Sequence, residues 1–309
     1  MNNRPLVNLA NTLFNRPLAI TSRGASMILS AVRSQLNIDL IYAIEGDPLD
    51  HVGMDALSAL GREEADARKA RRQSQIFEEC DGIAIIPIQG TLARKWGLDP
   101  YSGFTGYDGI KAKLIAAMED DSISGIMLDI ESPGGVVSGM FDLADLIYAC
   151  SERMGGKPIW AMANDMACSA AYLMLSCADE RWTTRTAETG SIGTLWMHTD
   201  YQEMHKMQGR KVTLFRAGKH KAEGNGVEDM SAETAARIQS ELDGMRDLFI
   251  DTVARNLAGQ TGNVDAMKKM VRETEGLTYI GQRARDIGLV TAVASEDQVW
   301  AEFLKRMGR

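Results

Sequence analysis

From residue 80 onward, short β-rich runs alternate with stretches of helical periodicity, and this alternation constrains the fold more than any other feature of the sequence. The order is "GIAIIPIQG" (82–90), "GYDGIKAKLIAAMED" (106–120), "SGIMLDIES" (124–132), "MFDLADLIYACSERM" (140–154) and "KPIWAMAN" (157–164). Strands separated by helices of three to four turns predict βαβ crossovers and a largely parallel sheet, so the class is α/β. A strand-like run "KVTLFRAG" (211–218) follows. A long helix is expected over "SAETAARIQSELDGMRDLFIDTVARNLAG" (231–259), entered through a Ser-x-x-Glu-like cap, and "YIGQRARDIGLVTAV" (279–293) reads as a short helix and a final strand. Before residue 80 the sequence has no strong strand signal. "GASMILSAVRSQL" (24–36) has helical spacing, and "GREEADARKARRQ" (61–73) mixes both charge signs as a solvated helix or linker does. The expected division is a helical N-terminal arm and linker at 1–79, a domain at 80–295 and a tail at 296–309.

Composition narrows the function classes. With 34 Lys and Arg against 42 Asp and Glu, the net charge of −8 argues against a surface built for phosphate backbones, so nucleic acid is not an expected partner. No apolar run approaches the roughly 18–20 residues that span a bilayer, and no basic segment with an apolar core opens the chain, so a cytosolic protein without membrane partners is expected. Cys80, Cys150, Cys168 and Cys177 form no CxxC pair, and the four histidines include no HExxH. Neither a metal site nor a disulfide framework is indicated, and no cofactor is expected.

Four segments carry candidate chemistry. "ESPGGVVSG" (131–139) is a tight turn after a strand, where Gly134 and Gly135 allow a substrate to approach backbone N–H groups that face an oxyanion; the alternative is an ordinary turn. "NDMACSAAYLML" (164–175) places Ser169 after a strand at the opening of a helix, with Ala170 N–H as a second oxyanion donor; the alternative is a buried serine bonded to the preceding turn. A serine needs a base. His51 lies in the arm, His220 sits beside a lysine, His205 follows at a distance, and His198 in "LWMHTD" has no evident acidic partner and reads as structural. "RAGKHKAEGN" (216–225) offers Lys219 and Lys221 instead. With an ordinary pKa of about 10.4, roughly one lysine in 2,500 is neutral at pH 7, so a lysine base needs burial against apolar walls, and on spacing alone either residue is a solvated charge. Finally, in "ETGSIGT" (188–194) the Ser191 hydroxyl is able to orient a lysine amine, or the segment is a glycine-flanked turn. Cys168 has no neighbour in sequence that lowers its pKa, and "DPYSGFTGYDG" (99–109) reads as a surface loop, the alternative being a flexible wall near the site.

Taken in this order, Ser132–Gly135, Ser169, Thr189–Gly193 and Gly218–Lys221 resemble the signal-peptide-peptidase-A (protease IV) family of serine proteases over roughly residues 80–295. The resemblance implies a Clp/crotonase-like fold of repeated β-β-α units and a Ser/Lys dyad. It selects Lys221 over Lys219 as base, gives Ser191 the base-orienting position, and assigns the oxyanion hole to Gly134 or Gly135 with Ala170. In relatives the serine and lysine of one site can come from neighbouring copies, so a homo-oligomeric ring with shared sites is expected. Membrane-bound members carry an anchor and some carry two tandem domains; neither is expected here. The arm "LVNLANTLFNRPLAI" (6–20) is similar to that of phage and prophage head-assembly proteases, which implies scaffold, capsid or portal proteins as substrates in the host cytoplasm or within the prohead. Some of those enzymes carry a C-terminal scaffold extension, which is then expected to be missing or separately encoded here. A signal-peptide-degrading peptidase of the same family, an acyl-CoA enzyme of crotonase type and an inactive scaffold or capsid-interaction module are the alternatives.

Overall fold

A computed structural model describes residues 17–21, 76–95, 97 and 103–309. The expected helical arm falls mostly outside these residues, as do the 61–73 linker, His51 and part of the 99–109 loop. Two segments of 1–79 are described, 17–21 and 76–79, and both enter strands; the first, β1 (Leu18–Ile20), pairs antiparallel with a strand of the central sheet. Three apolar residues after Pro17 offer no helical turn of their own, and long-range pairing decides their conformation.

The remaining strands are β2 (Glu78–Cys80), β3 (Ile83–Ala93), β4 (Phe104–Gly106), β5 (Gly125–Val136), β6 (Ile159–Cys168), β7 (Glu180–Thr183), β8 (Glu188–Gly190), β9 (Thr278–Ile280) and β10 (Ala292–Val293). All ten join one sheet with the path β10-β7-β6-β5-β3-β2, and every pairing along it except β3–β2 is parallel. The helix α1 (Tyr107–Glu119) leads into β5, α2 (Met140–Cys150) connects β5 to β6, and α3 (Ala170–Cys177) connects β6 to β7. The chain is thus the mainly parallel α/β protein that its alternating sequence predicts.

Side chains of successive strand residues point to opposite faces. On one face Ile86 and Ile88 of β3, Leu128 and Ile130 of β5, and Ala161 and Ala163 of β6 pack in the large core with α1, α2 and α3. On the other face Ile83, Met127, Trp160 and Met162 meet a C-terminal helix. Residues 296–309, expected as a tail beyond the domain, hold that helix: α8 (Glu296–Arg306) buries Val299 and Phe303, and Phe303 stacks on Trp160 at 4.6 Å. Its start is a capping box between Ser295 and Gln298, followed by apolar residues at helical spacing, a signal present in "SEDQVWAEFL".

Three further helices follow the site: α4 (Gln202–Met207), α5 (Ala232–Thr261) and α6 (Val264–Glu273); α7 (Gly281–Asp286) precedes β10. The long helix is capped as expected by Ser231, whose side chain accepts from Thr234 N–H, but the reciprocal carboxylate is absent because residue 234 is threonine. It runs to Thr261 and stops at Gly262 rather than Gly259. The strand-like run 211–218 forms no strand: among the described residues no sheet edge pairs with it, and its Phe215 is 95% exposed.

Candidate active site

The parallel sheet opens at its carboxyl end where β5 and β6 part, the ordinary place for a site in an α/β sheet. Their last pairing is Ser132 with Ala167. Beyond it β6 turns through Ser169 into α3, while β5 continues as the Pro133–Val136 strand.

Ser169 makes that corner with φ 56° and ψ −119°. This is the backbone of the first central residue in a type II′ turn, a region that glycine occupies readily and other residues only under strain of about 1–3 kcal/mol. Three contacts fix the conformation. Ser169 N–H donates to Gly190 O at 2.7 Å, its carbonyl accepts the first bond of α3 from Leu173 N–H at 3.0 Å, and its side chain is fully buried. The hydroxyl has only a long contact, 3.5 Å to Gly193 O. The next residue, Ala170, is the first of α3, so its N–H has no intrahelical acceptor.

The glycine turn lies against this corner. Buried Ser132 donates to Gly90 O at 2.6 Å and accepts from Gly134 N–H at 3.1 Å, which fixes the turn and commits the Gly134 donor. Sequence reading did not single out this role of Ser132; the Ser-Pro-Gly-Gly run was its signal. A Cβ at Gly134, where φ is +103°, would lie 3.0 Å from Ser169 Cβ and 2.2 Å from Ala19 O. At Gly135 it would lie 1.9 Å from Leu92 O, so neither position admits a side chain without moving backbone.

The third wall comes from β8, which pairs with the last three residues of β6 and delivers Gly190 and Ser191 beside the corner. Ser191 has φ 54°, and its N–H donates to Leu277 O at 2.9 Å. With Ile20, Gly193 and Thr194 it lines a cavity of about 330 Å³.

Thus Ser169, Ala170, Gly134, Gly135 and Ser191 converge. Lys221 does not join them within the chain. It lies exposed in the loop after Gly218, held by a backbone bond from Lys221 N–H to Gly218 O at 3.2 Å, and among the described residues its amine has no hydrogen-bond or ion-pair partner. Lys219 is engaged elsewhere, 2.7 Å from Glu233 at the start of α5. No described histidine bonds to either serine: His220 is 2.5 Å from Glu223, and the Nδ1 atoms of His198 and His205 are buried without partners. Beside Ser169, burial first, then Glu188 and Asp165, push the Cys168 thiol up to about 12, so it stays protonated and is no nucleophile.

A sequence model of peptidase family S49 matches residues 151–308, which include Ser169, Ser191 and Lys221. Capsid assembly protease C of Escherichia phage lambda is 38% identical over 288 residues, 93% of this chain and 62% of that protein. Head-tail preconnector protein GP5 of Enterobacteria phage P21 is 36% identical over 288 residues, 93% of this chain and 54% of that protein. Protease 4 of Haemophilus influenzae is 25% identical over 220 residues, 69% of this chain and 33% of that protein. The chain therefore spans less than two thirds of the length of the phage relatives it matches.

Proposed function

Because the chain belongs to peptidase family S49, we propose that it is a serine endopeptidase of the Ser/Lys type that cleaves scaffold, capsid or portal proteins during phage head assembly. The observation that carries this reading is the strained corner at Ser169, which sets its side chain at the opening of α3 and against the glycine turn, its Cβ 3.0 Å from where a Cβ on Gly134 would stand. An unreactive buried serine has no need of such a backbone.

In this mechanism a neutral Lys221 amine, oriented by Ser191, takes the proton from Ser169 Oγ as it attacks the peptide carbonyl. The negative oxygen is held by the N–H groups of Ala170 and Gly135, since Gly134 N–H already donates to Ser132. The lysine returns the proton to the leaving amine, and an acyl-enzyme remains. Water then attacks, its proton passes to the same lysine, and the lysine returns it to Ser169 Oγ as the acid leaves.

Shared sites in a ring are part of the proposal. Lys221 stands on a segment that is poorly covered by its own chain, with Met207 82% and Phe215 95% exposed, so a neighbouring copy has both the room and the apolar surface to receive it. The Clp/crotonase-like kinship of the fold is supported by the mainly parallel sheet with the serine at a β-α corner. Phage substrates are favoured over signal peptides because the two phage relatives match 93% of the chain at 36–38% identity, against 69% at 25% for protease 4. Among the described residues, no helix is long and apolar enough to cross a membrane.

Co-expression with a cognate scaffold protein, followed by mass spectrometry of product termini, tests the reading. Discrete new termini that disappear in a Ser169→Ala variant are expected; an intact scaffold beside folded, assembled protein rejects it.

A further inference from the structure

β5 and β6 diverge after Ser132, which leaves one edge of the Pro133–Val136 segment without its partner strand. In the structure that edge is filled by Pro17–Thr21. Thr21 N–H donates to Pro133 O at 3.0 Å and Val137 N–H donates to Pro17 O at 3.4 Å. Antiparallel alternation then makes Ala19 and Gly135 the hydrogen-bonded pair between them, with Gly135 N–H directed at Ala19 O. The other edge of the same short strand is bound as well: Leu18 exchanges two backbone bonds with Leu195, at 3.0 and 2.9 Å. Both walls flank the nucleophile, since Gly134 abuts Ser169 Cβ and Gly193, two residues before Leu195, holds Ser169 Oγ.

An extended segment bound by its main chain on both sides is how peptides are taken up by strand addition, with main-chain bonds giving affinity and alternate side chains giving selectivity. Leu18, Ala19 and Ile20 are all buried, and Ile20 lines the 330 Å³ cavity beside Ser191. The carbonyl of Ala19 and the Cβ of Ser169 approach one point, the missing Cβ of Gly134. Ser169 has no accessible surface with this strand in place. A nucleophile so covered meets no substrate until something moves, and β1 lies beside it through the Ala19 carbonyl.

We infer that Pro17–Thr21 is a resident pseudosubstrate: it fills the peptide cleft between Gly134–Val136 and Leu195, with the Ala19 carbonyl in the oxyanion position, and substrate enters as an extended, aliphatic peptide that displaces it. What the cleft serves rests on the peptidase reading; who occupies it does not. Being tethered, the strand competes at an effective concentration on the order of millimolar, so it holds back weak peptides while yielding to a tightly bound or multiply docked partner.

The test uses the full chain with Ser169→Ala, so that binding is read without turnover, and with Cys80→Ser to remove the exposed thiol. Leu18→Cys and Leu195→Cys are added to lock the strand, and binding of fluorescein-labelled Pro-Leu-Ala-Ile-Thr is followed by anisotropy. Oxidation is expected to weaken peptide binding at least tenfold and reduction to restore it. In the unlocked parent, Ile20→Asp is expected to strengthen peptide binding at least tenfold by loosening the resident strand. Equal affinity of the oxidised and reduced forms, with the cross-link verified by mass, overturns the inference, as does a reduced chain that binds no peptide. Failure of the peptidase reading itself shows separately, as undiminished scaffold cleavage by Ser169→Ala.

Discussion

Under the proposed mechanism, replacing Ser169 with alanine is expected to lower peptide-bond cleavage by at least about a thousandfold, because it removes the group that would form the covalent intermediate from a site whose members act as a unit. A second substitution separates chemistry from structure. Alanine keeps the backbone at φ 56° and ψ −119° and its strain, whereas glycine relieves it. Ser169→Gly is therefore expected to be as inactive as Ser169→Ala yet more stable than it by about 1 kcal/mol, the strain being offset in part by the entropy glycine loses on folding. Urea denaturation of both variants, beside a cleavage assay, measures the two effects. Equal stabilities mean that the corner is not held under strain, and cleavage surviving in either variant removes Ser169 from the mechanism.

The second large effect concerns Lys221. Its amine is exposed in the single chain and has no partner among the described residues, while a lysine base needs a dry setting. If a neighbouring copy supplies it, Ser169→Ala and Lys221→Ala chains are each inactive alone, but an oligomer assembled from equal amounts of the two contains sites with an intact serine from one copy and an intact lysine from the next. Random mixing in a head-to-tail ring gives about one such site in four, so about a quarter of the wild-type rate returns. Mixed oligomers of verified composition that regain nothing exclude a shared site, and a fully active monomer excludes it more simply.

Much of the candidate site is legible in the sequence because its parts are local. The Ser-Pro-Gly-Gly turn and the serine at the opening of a helix follow from glycine steric freedom and helix-end chemistry, and the structure brings both together with Ser191. The parallel sheet was legible for a similar reason: "GIAIIPIQG" and "KPIWAMAN" are apolar on both faces of their strands, as a strand covered on both sides must be. What was not legible depends on distant partners. "PLAI" carries no sign of which edge it pairs with, and only the divergence of β5 from β6 creates that edge. "KVTLFRAG" has the composition of a strand but pairs with no sheet edge among the described residues. The terminal helix carries its capping box in the sequence, but its purpose, covering Trp160 and Met127 on the second face of the sheet, appears only when the strands are assembled. For Lys221 the structure shows only an exposed residue, so nothing local in the sequence sets it beside Ser169.

The claim on which the rest depends is that the hydroxyl at the β6–α3 corner is a nucleophile. Treatment of the assembled protein with a biotinylated fluorophosphonate, followed by peptide mapping, tests it most directly. The account predicts one adduct per active chain, on Ser169, formed in step with loss of cleavage and absent from Lys221→Ala. An adduct on another residue, or full inhibition without modification of Ser169, contradicts it.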